Sequence, residues 1–221
     1  MWQALGALLP IAVALAFSSV PLTVTILILL SPNRSRAALP FLIGTVIGVA
    51  AVIMLSALAT TALSQPLRRG RDTAIAVLEI VIGTALLILA AIYLRRRSRP
   101  SSTGLPRWLA AVDSFGSLSS FAIAVVLSFR PKGLLLGIAG GLVLSASRLK
   151  SGEAALLIII YTVIATSTVI VPIAGSLIAP HRMEPKLLLA RDWLAVNGRI
   201  MTSVMMFIIG VVILGSGFTK L

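Results

Sequence analysis

The sequence predicts an all-α integral membrane protein of six transmembrane helices, arranged as two inverted three-helix repeats with helices 1 and 4 broken. Three observations predict it. Of the 221 residues, 58% are hydrophobic and only 11% are charged, where a soluble domain carries about 25% charged residues. The apolar residues fall into six runs, each long enough to cross about 30 Å of hydrocarbon, which takes about 20 helical residues. The first and fourth runs are interrupted by proline beside polar or charged residues, at Pro21 and Pro131.

In chain order, the first span is Ala4–Leu30, with Pro10 and Ser18-Ser19-Val20-Pro21 inside it. Met1-Trp2-Gln3 holds no Lys or Arg and the run lacks a signal-peptidase pattern, so a first span is expected rather than a cleaved signal peptide. Ser31-Pro32-Asn33-Arg34-Ser35-Arg36 makes the turn into the second span, Ala37–Leu63. Gly44 and Gly48 lie four apart there, a spacing that lets a neighbouring helix approach closely. Beyond Gln65–Asp72 comes the third span, Thr73–Leu94, whose one acid is Glu79. Arg95–Asp113 is the long basic connector, with Trp108 suited to the membrane interface. The fourth span, Phe115–Ser147, is too long for one plain helix, and Phe129-Arg130-Pro131-Lys132-Gly133 divides it into two half-helices or a re-entrant piece. The fifth span is Ala154–Ile178, with Pro172 inside it. A Pro-flanked polar loop carries His181, Leu187–Trp193 suits a short interfacial helix, and the sixth span runs from about Val196 to Phe218.

Composition excludes several functions. The net charge of +13 would suggest nucleic acid in a soluble protein. Here Lys and Arg sit between the apolar runs, as topology signals and headgroup contacts, and no basic helix has interleaved aromatics. Without cysteine there is no disulfide exchange, thiolate metal site or cysteine nucleophile. His181 stands alone, so no metal site is expected, and no His lies within a span to serve an intramembrane enzyme. No P-loop is present, and no cofactor is expected.

With the N-terminus outside, the inner side holds Arg34, Arg36, Arg95, Arg96, Arg97, Arg99, Arg107, Arg182, Lys186, Arg191 and Arg199. The outer side holds Arg68, Arg69, Arg71, Arg148, Lys150 and Lys220. That bias, eleven against six, favours both termini outside. It also leaves Arg130 and Lys132 as the two cations assigned to neither side.

The halves, 1–114 and 115–221, resemble each other and together make one membrane domain. Val20-Pro21 and Arg130-Pro131 each open an apolar run that ends in a Ser/Arg turn. Ala37-Ala38-Leu39 with Thr45-Val46-Ile47 matches Ala154-Ala155-Leu156 with Thr162-Val163-Ile164 at one offset, and Ile82-Gly83 matches Ile209-Gly210. Three spans per half make the repeats inverted, and such transporters bind near the midplane where broken helices meet.

An unpaired charge in hydrocarbon costs about 2.5–3.5 kcal/mol on the insertion scale, so Arg130 and Lys132 need a partner, water or a substrate. A half-helix starting after them directs unpaired N–H groups and partial positive charge toward the break. With Arg binding bidentately, that is an anion site: phosphate, sulfate or carboxylate. Pro131 and Gly133 complete it, with Pro21, Ser18, Ser19, Thr23 and Asn197 as candidate lining residues. Glu79 is read as counter-ion or proton carrier. A structural pair of Glu79 with Arg130 or Lys132 is the competing reading, as is an interfacial position for the two cations.

These residues resemble a family. A small-residue/Ser-x-x-Pro first helix, the Ser31-Pro32-Asn33 turn with Arg34, and a glycine-bearing second helix look like the lysine-exporter (LysE) superfamily. Arg130-Pro131-Lys132-Gly133 followed by Leu134-Leu135-Leu136-Gly137 resembles its Asn-Pro-Lys pattern. The chain is most similar to the glycolipid- or sulfolipid-addressing (GAP) branch, as the Trp193-Leu194-x-x-Asn197 approach to span six also suggests. The resemblance covers essentially the whole chain. It implies outward movement of lipid-linked or small polar solutes across the bacterial inner membrane, with the branch associated with glycolipid delivery to mycobacterial-type envelopes. Arg130 departs from the superfamily's Asn, which suits an anionic substrate better than an amino acid or cation.

The expectation is therefore an exporter or flippase of an anionic lipid or glycolipid, not an enzyme, with membrane lipids as partners and a homodimer or lipid-export complex as its assembly. The alternatives are an exporter of a small polar solute, or a non-transporting scaffold of a lipid-export complex.

Overall fold

Proline and the residue before it set the two sharpest boundaries in the chain. In the computed structural model, which describes residues 1–64, 71–95, 116–147 and 149–218, α1 (Trp2–Ala16) and α2 (Ser19–Leu30) meet at a 50° bend. Later, α5 (Ser117–Ser128) and α6 (Pro131–Ala146) meet at 63°. Arg130 is extended (φ −70°, ψ 157°), the conformation proline imposes on its predecessor, and Pro131 takes the first helical position, where a missing N–H costs nothing. The first break differs from expectation. It falls at Phe17-Ser18, and Pro21 sits in the first turn of α2. A first-turn proline lacks only an N–H that has no intrahelical acceptor, so the helix starts ahead of it.

The other helices are α3 (Arg34–Ser64), α4 (Arg71–Arg95), α7 (Ser151–Ile178) and α8 (Pro180–Phe218). Among the described residues the regular structure is all helical. Four helices are long and apolar enough to cross a membrane, or up to six spans if each bent pair counts as one. The chain is thus a multi-pass membrane protein. The expected loop at His181 is corrected: residues 180–195 are the first turns of α8, continuous with the span that follows. Pro180 fits a helix start, while Leu187 and Leu194, seven apart, bury one face. The expectations for Arg68, Arg69, Arg96, Arg97, Arg99, Arg107, Trp108, Arg148 and Lys220 lie outside the described residues.

Between membrane helices packing, not water, drives association, and small residues allow close approach. Gly44 and Gly48 of α3 do so against α5: a Cβ would come to 2.6 Å from the Phe121 carbonyl oxygen and 2.5 Å from Ser128 Oγ. On the other side of the molecule α4 runs antiparallel to α8. Gly83 lies against Gly210 and Leu214, and Gly217 against Ala76 and Ile80. Two apolar clusters result. One gathers Leu8, Ile53, Leu86, Leu136, Tyr161 and Met206, the other Val24, Ile28, Phe41, Val169 and Ile173.

Candidate functional site

Where the two clusters meet, both helix breaks open onto one cavity of about 130 Å³. From the first break come Ser18, Ser19 and Pro21, and from the second Arg130, Pro131, Lys132 and Gly133. Phe41, Thr45 and Val49 of α3, Leu89 and Tyr93 of α4, Thr168 and Val169 of α7, and Thr202 and Met206 of α8 close the walls. Thr45 and Val49 straddle the middle of the Arg34–Thr60 span, while Tyr93 stands two residues from the end of the Ala76–Arg95 span, so the cavity reaches from mid-span toward that end.

The hydrogen bonds give the cavity its polarity. A helix that ends inside a membrane leaves carbonyls without intrahelical donors. Each half-helix that ends here has protein donors for them. Thr168 Oγ1 donates to the Ala16 carbonyl at 2.8 Å, and Lys132 Nζ reaches across from the second break to the Phe17 carbonyl at 3.2 Å. Arg130 Nε donates to the Leu127 carbonyl at 3.3 Å. The half-helices that begin here are treated differently. Neither Ser18 before α2 nor Arg130 before α6 gives a side-chain cap to the N–H groups that follow. Gly133 lets this turn fold back tightly, since a Cβ there would collide with the Ser128 carbonyl oxygen. Three carbonyls at the half-helix ends thus have side-chain donors, and two cations beside uncapped helix starts give the cavity positive character.

Comparison with protein families settles what kind of chain this is: residues 8–219 match the family described as Sap, sulfolipid-1-addressing protein. The chain belongs to the Sap family. The match runs from within α1 through α8 and includes both breaks. No curated protein and no solved structure matches the chain.

In this Sap-family chain, seven of the residues picked out from sequence border one cavity: Ser18, Ser19, Pro21, Arg130, Pro131, Lys132 and Gly133. Three do not. Thr23 returns its hydroxyl to the Ser19 carbonyl at 2.7 Å. Asn197 Nδ2 donates to the Trp193 carbonyl, one turn back on α8, at 3.1 Å. Glu79 is buried and accepts a hydrogen bond from Ser216 Oγ at 3.0 Å, tying α4 to α8. Leu89, where α4 first touches the cavity, is ten residues further on, about 15 Å along the helix. At that separation the competing reading, a structural pair of Glu79 with Arg130 or Lys132, has no direct contact behind it in this structure. Sequence reasoning missed Thr168, Tyr93 and Thr202, whose Oγ1 donates to Ser19 Oγ at 3.2 Å. A hydroxyl in an apolar helix ordinarily bonds its own preceding turn, as Thr45 does with Phe41. Only the tertiary neighbours set Thr168 and Thr202 apart.

Proposed function

We propose that the chain is a transporter that exports or flips an anionic lipid or glycolipid, with the headgroup held in the cavity between the two breaks. The observation that carries this is the joint placement of Arg130, Lys132 and uncapped helix starts on one cavity, beside three break carbonyls that already have side-chain donors. Membership of a family described as sulfolipid-1-addressing supports a sulfated or otherwise anionic headgroup. Arg130 would bind it through its planar fork and Lys132 as a point charge.

An inverted repeat supports alternating access. Exchanging α1/α2 with α5/α6, α3 with α7 and α4 with α8 turns the packing of α3 on α5 and α6 into that of α7 on α1 and α2, both present. Gly83 and Gly210, matched between halves by sequence, face each other across antiparallel helices, as residues beside a two-fold axis in the membrane plane must. This architecture supports kinship with the lysine-exporter superfamily, and halves at 1–114 and 115–221. The inner membrane with both termini outside is the location that fits the basic-residue bias.

The test is reconstitution of the full chain in liposomes, following labelled phosphatidylglycerol, phosphatidylcholine and an amino acid. The anionic lipid should move fastest. Replacing Arg130 or Lys132 by Ala should slow it about ten- to hundredfold, the worth of a charge-assisted hydrogen bond, without changing the thermal melt. Undiminished movement in both variants would sink the reading. The cavity's modest size supports a second reading, a small-anion exporter, for which the labelled lipids would stay put while a soluble anion crossed.

A further inference from the structure

The cavity has a mouth, and its position says how a substrate arrives. Among the residues that line it, only Tyr93 and Pro131 are exposed; those from α3 and α8 are all buried. The opening therefore lies between the end of α4 and the second break. Among the described residues α4 packs on α8 and α6, and α5 packs on α3, with at most marginal packing between α4 and α5. The mouth faces sideways.

Its surroundings change character across a few ångströms. Inside stand Arg130 and Lys132. Ile92, Val126 and Phe129, next in the chain to the lining residues Tyr93, Leu127 and Arg130, lie outside the lining and are 43%, 67% and 43% exposed, as side chains that face acyl chains are. Tyr93 lies two residues before Arg95, the last residue of α4. A tyrosine beside a terminal arginine marks the boundary between headgroups and hydrocarbon.

We propose that this mouth is a lateral portal for an anionic amphiphile whose sulfate or phosphate ester enters the cavity while its acyl chain stays in the bilayer against Ile92, Val126 and Phe129. The inference rests on the cavity being the anion site for a lipid headgroup, and it adds the route by which that headgroup arrives. A cavity of about 130 Å³ receives a headgroup and not acyl chains. An opening at interfacial depth lets the headgroup enter without first crossing hydrocarbon. A soluble anion would have no use for a mouth flanked by Ile92, Val126 and Phe129.

The test uses the full chain in phosphatidylcholine vesicles containing phosphatidylglycerol with a photoactivatable group in its acyl chain, beside the same group on phosphatidylcholine. Adducts mapped by mass spectrometry should concentrate on residues 92–93 and 126–129. There the anionic probe should exceed the neutral one about tenfold, the worth of one charge-assisted hydrogen bond. Arg130→Gln should erase that preference, and Lys132→Met serves in its place if the first variant does not fold. Inorganic sulfate or phosphate at millimolar concentration should leave the adducts in place. Adducts spread evenly over lipid-facing positions such as Ile159 and Val163 would overturn the portal, even where Arg130→Ala abolishes transport and the anion site stands. Adducts at the mouth that are equal for both probes and persist in Arg130→Gln would overturn it too, by showing ordinary surrounding lipid. Displacement by inorganic anion would reassign the cavity to a soluble substrate.

Discussion

Lys132 makes one polar contact that joins the two breaks, and its cost and its use can be separated. Its ammonium meets the Phe17 carbonyl at 3.2 Å, against the negative end of α1. Side-chain hydrogen bonds between membrane helices contribute only about 0.6 kcal/mol on average. Replacing a buried charge by an apolar side chain of similar shape is often neutral or better. The two effects offset, so Lys132→Met should melt within about 1 kcal/mol of the parent yet lose anionic-lipid movement. Lys132→Arg should recover part of that movement. A thermal melt in detergent beside a vesicle flipping assay checks both. A Lys132→Met chain that fails to fold would make the residue a structural tie. The sequence shows Arg130 and Lys132 as cations without an aqueous reason to be where they are. It does not show Phe17 as a partner, because that contact spans 115 positions and depends on how two bends face each other.

At the scale of helices, the second break was legible in place, while the first lies ahead of Pro21, at Phe17-Ser18. Pro131 dictates both the extended Arg130 and the start of α6, a strictly local effect. Pro185 misleads, because proline and charge together read as loop, whereas tertiary burial of Leu187 and Leu194 keeps residues 180–195 helical. Glu79 looked available to any cation in the membrane. Its bond from Ser216, 137 positions away, instead places it on the seam between α4 and α8. A glutamine carbonyl can accept the same hydrogen bond, so Glu79→Gln should keep both the melt and lipid movement. Glu79→Ala should lose about 1–3 kcal/mol by stranding buried polar groups. Flipping rates measured across pH decide the matter. Loss of movement in a well-folded Glu79→Gln chain would restore the acid as a proton carrier.

Over the whole molecule, the proposed inverted repeat turns one conformation into an expectation about the other. In an inverted-repeat transporter, exchanging the conformations of the halves converts the state open to one side into the state open to the other. At the second break Phe129 and Pro131 are both exposed, whereas at the first Phe17 is exposed and Ser18, Ser19 and the nearby Pro21 are half-buried. On the proposed alternating-access reading, this is the state more open at the second break than at the first. The alternative state should expose the first break toward the opposite leaflet and cover the second. Because the sequence contains no cysteine, single-cysteine reporters read this without background. Ser18→Cys marks the first break and Ser128→Cys the second, both on the cavity. In oriented vesicles, a membrane-impermeant thiol reagent should label each from one side only, and from opposite sides. An anionic lipid that shifts the equilibrium should raise one rate as it lowers the other, since a ligand acts on a two-state protein only through its difference in affinity for the states. Rates that rise and fall together would mean that the breaks open as a unit, and the repeat would then describe ancestry without describing motion.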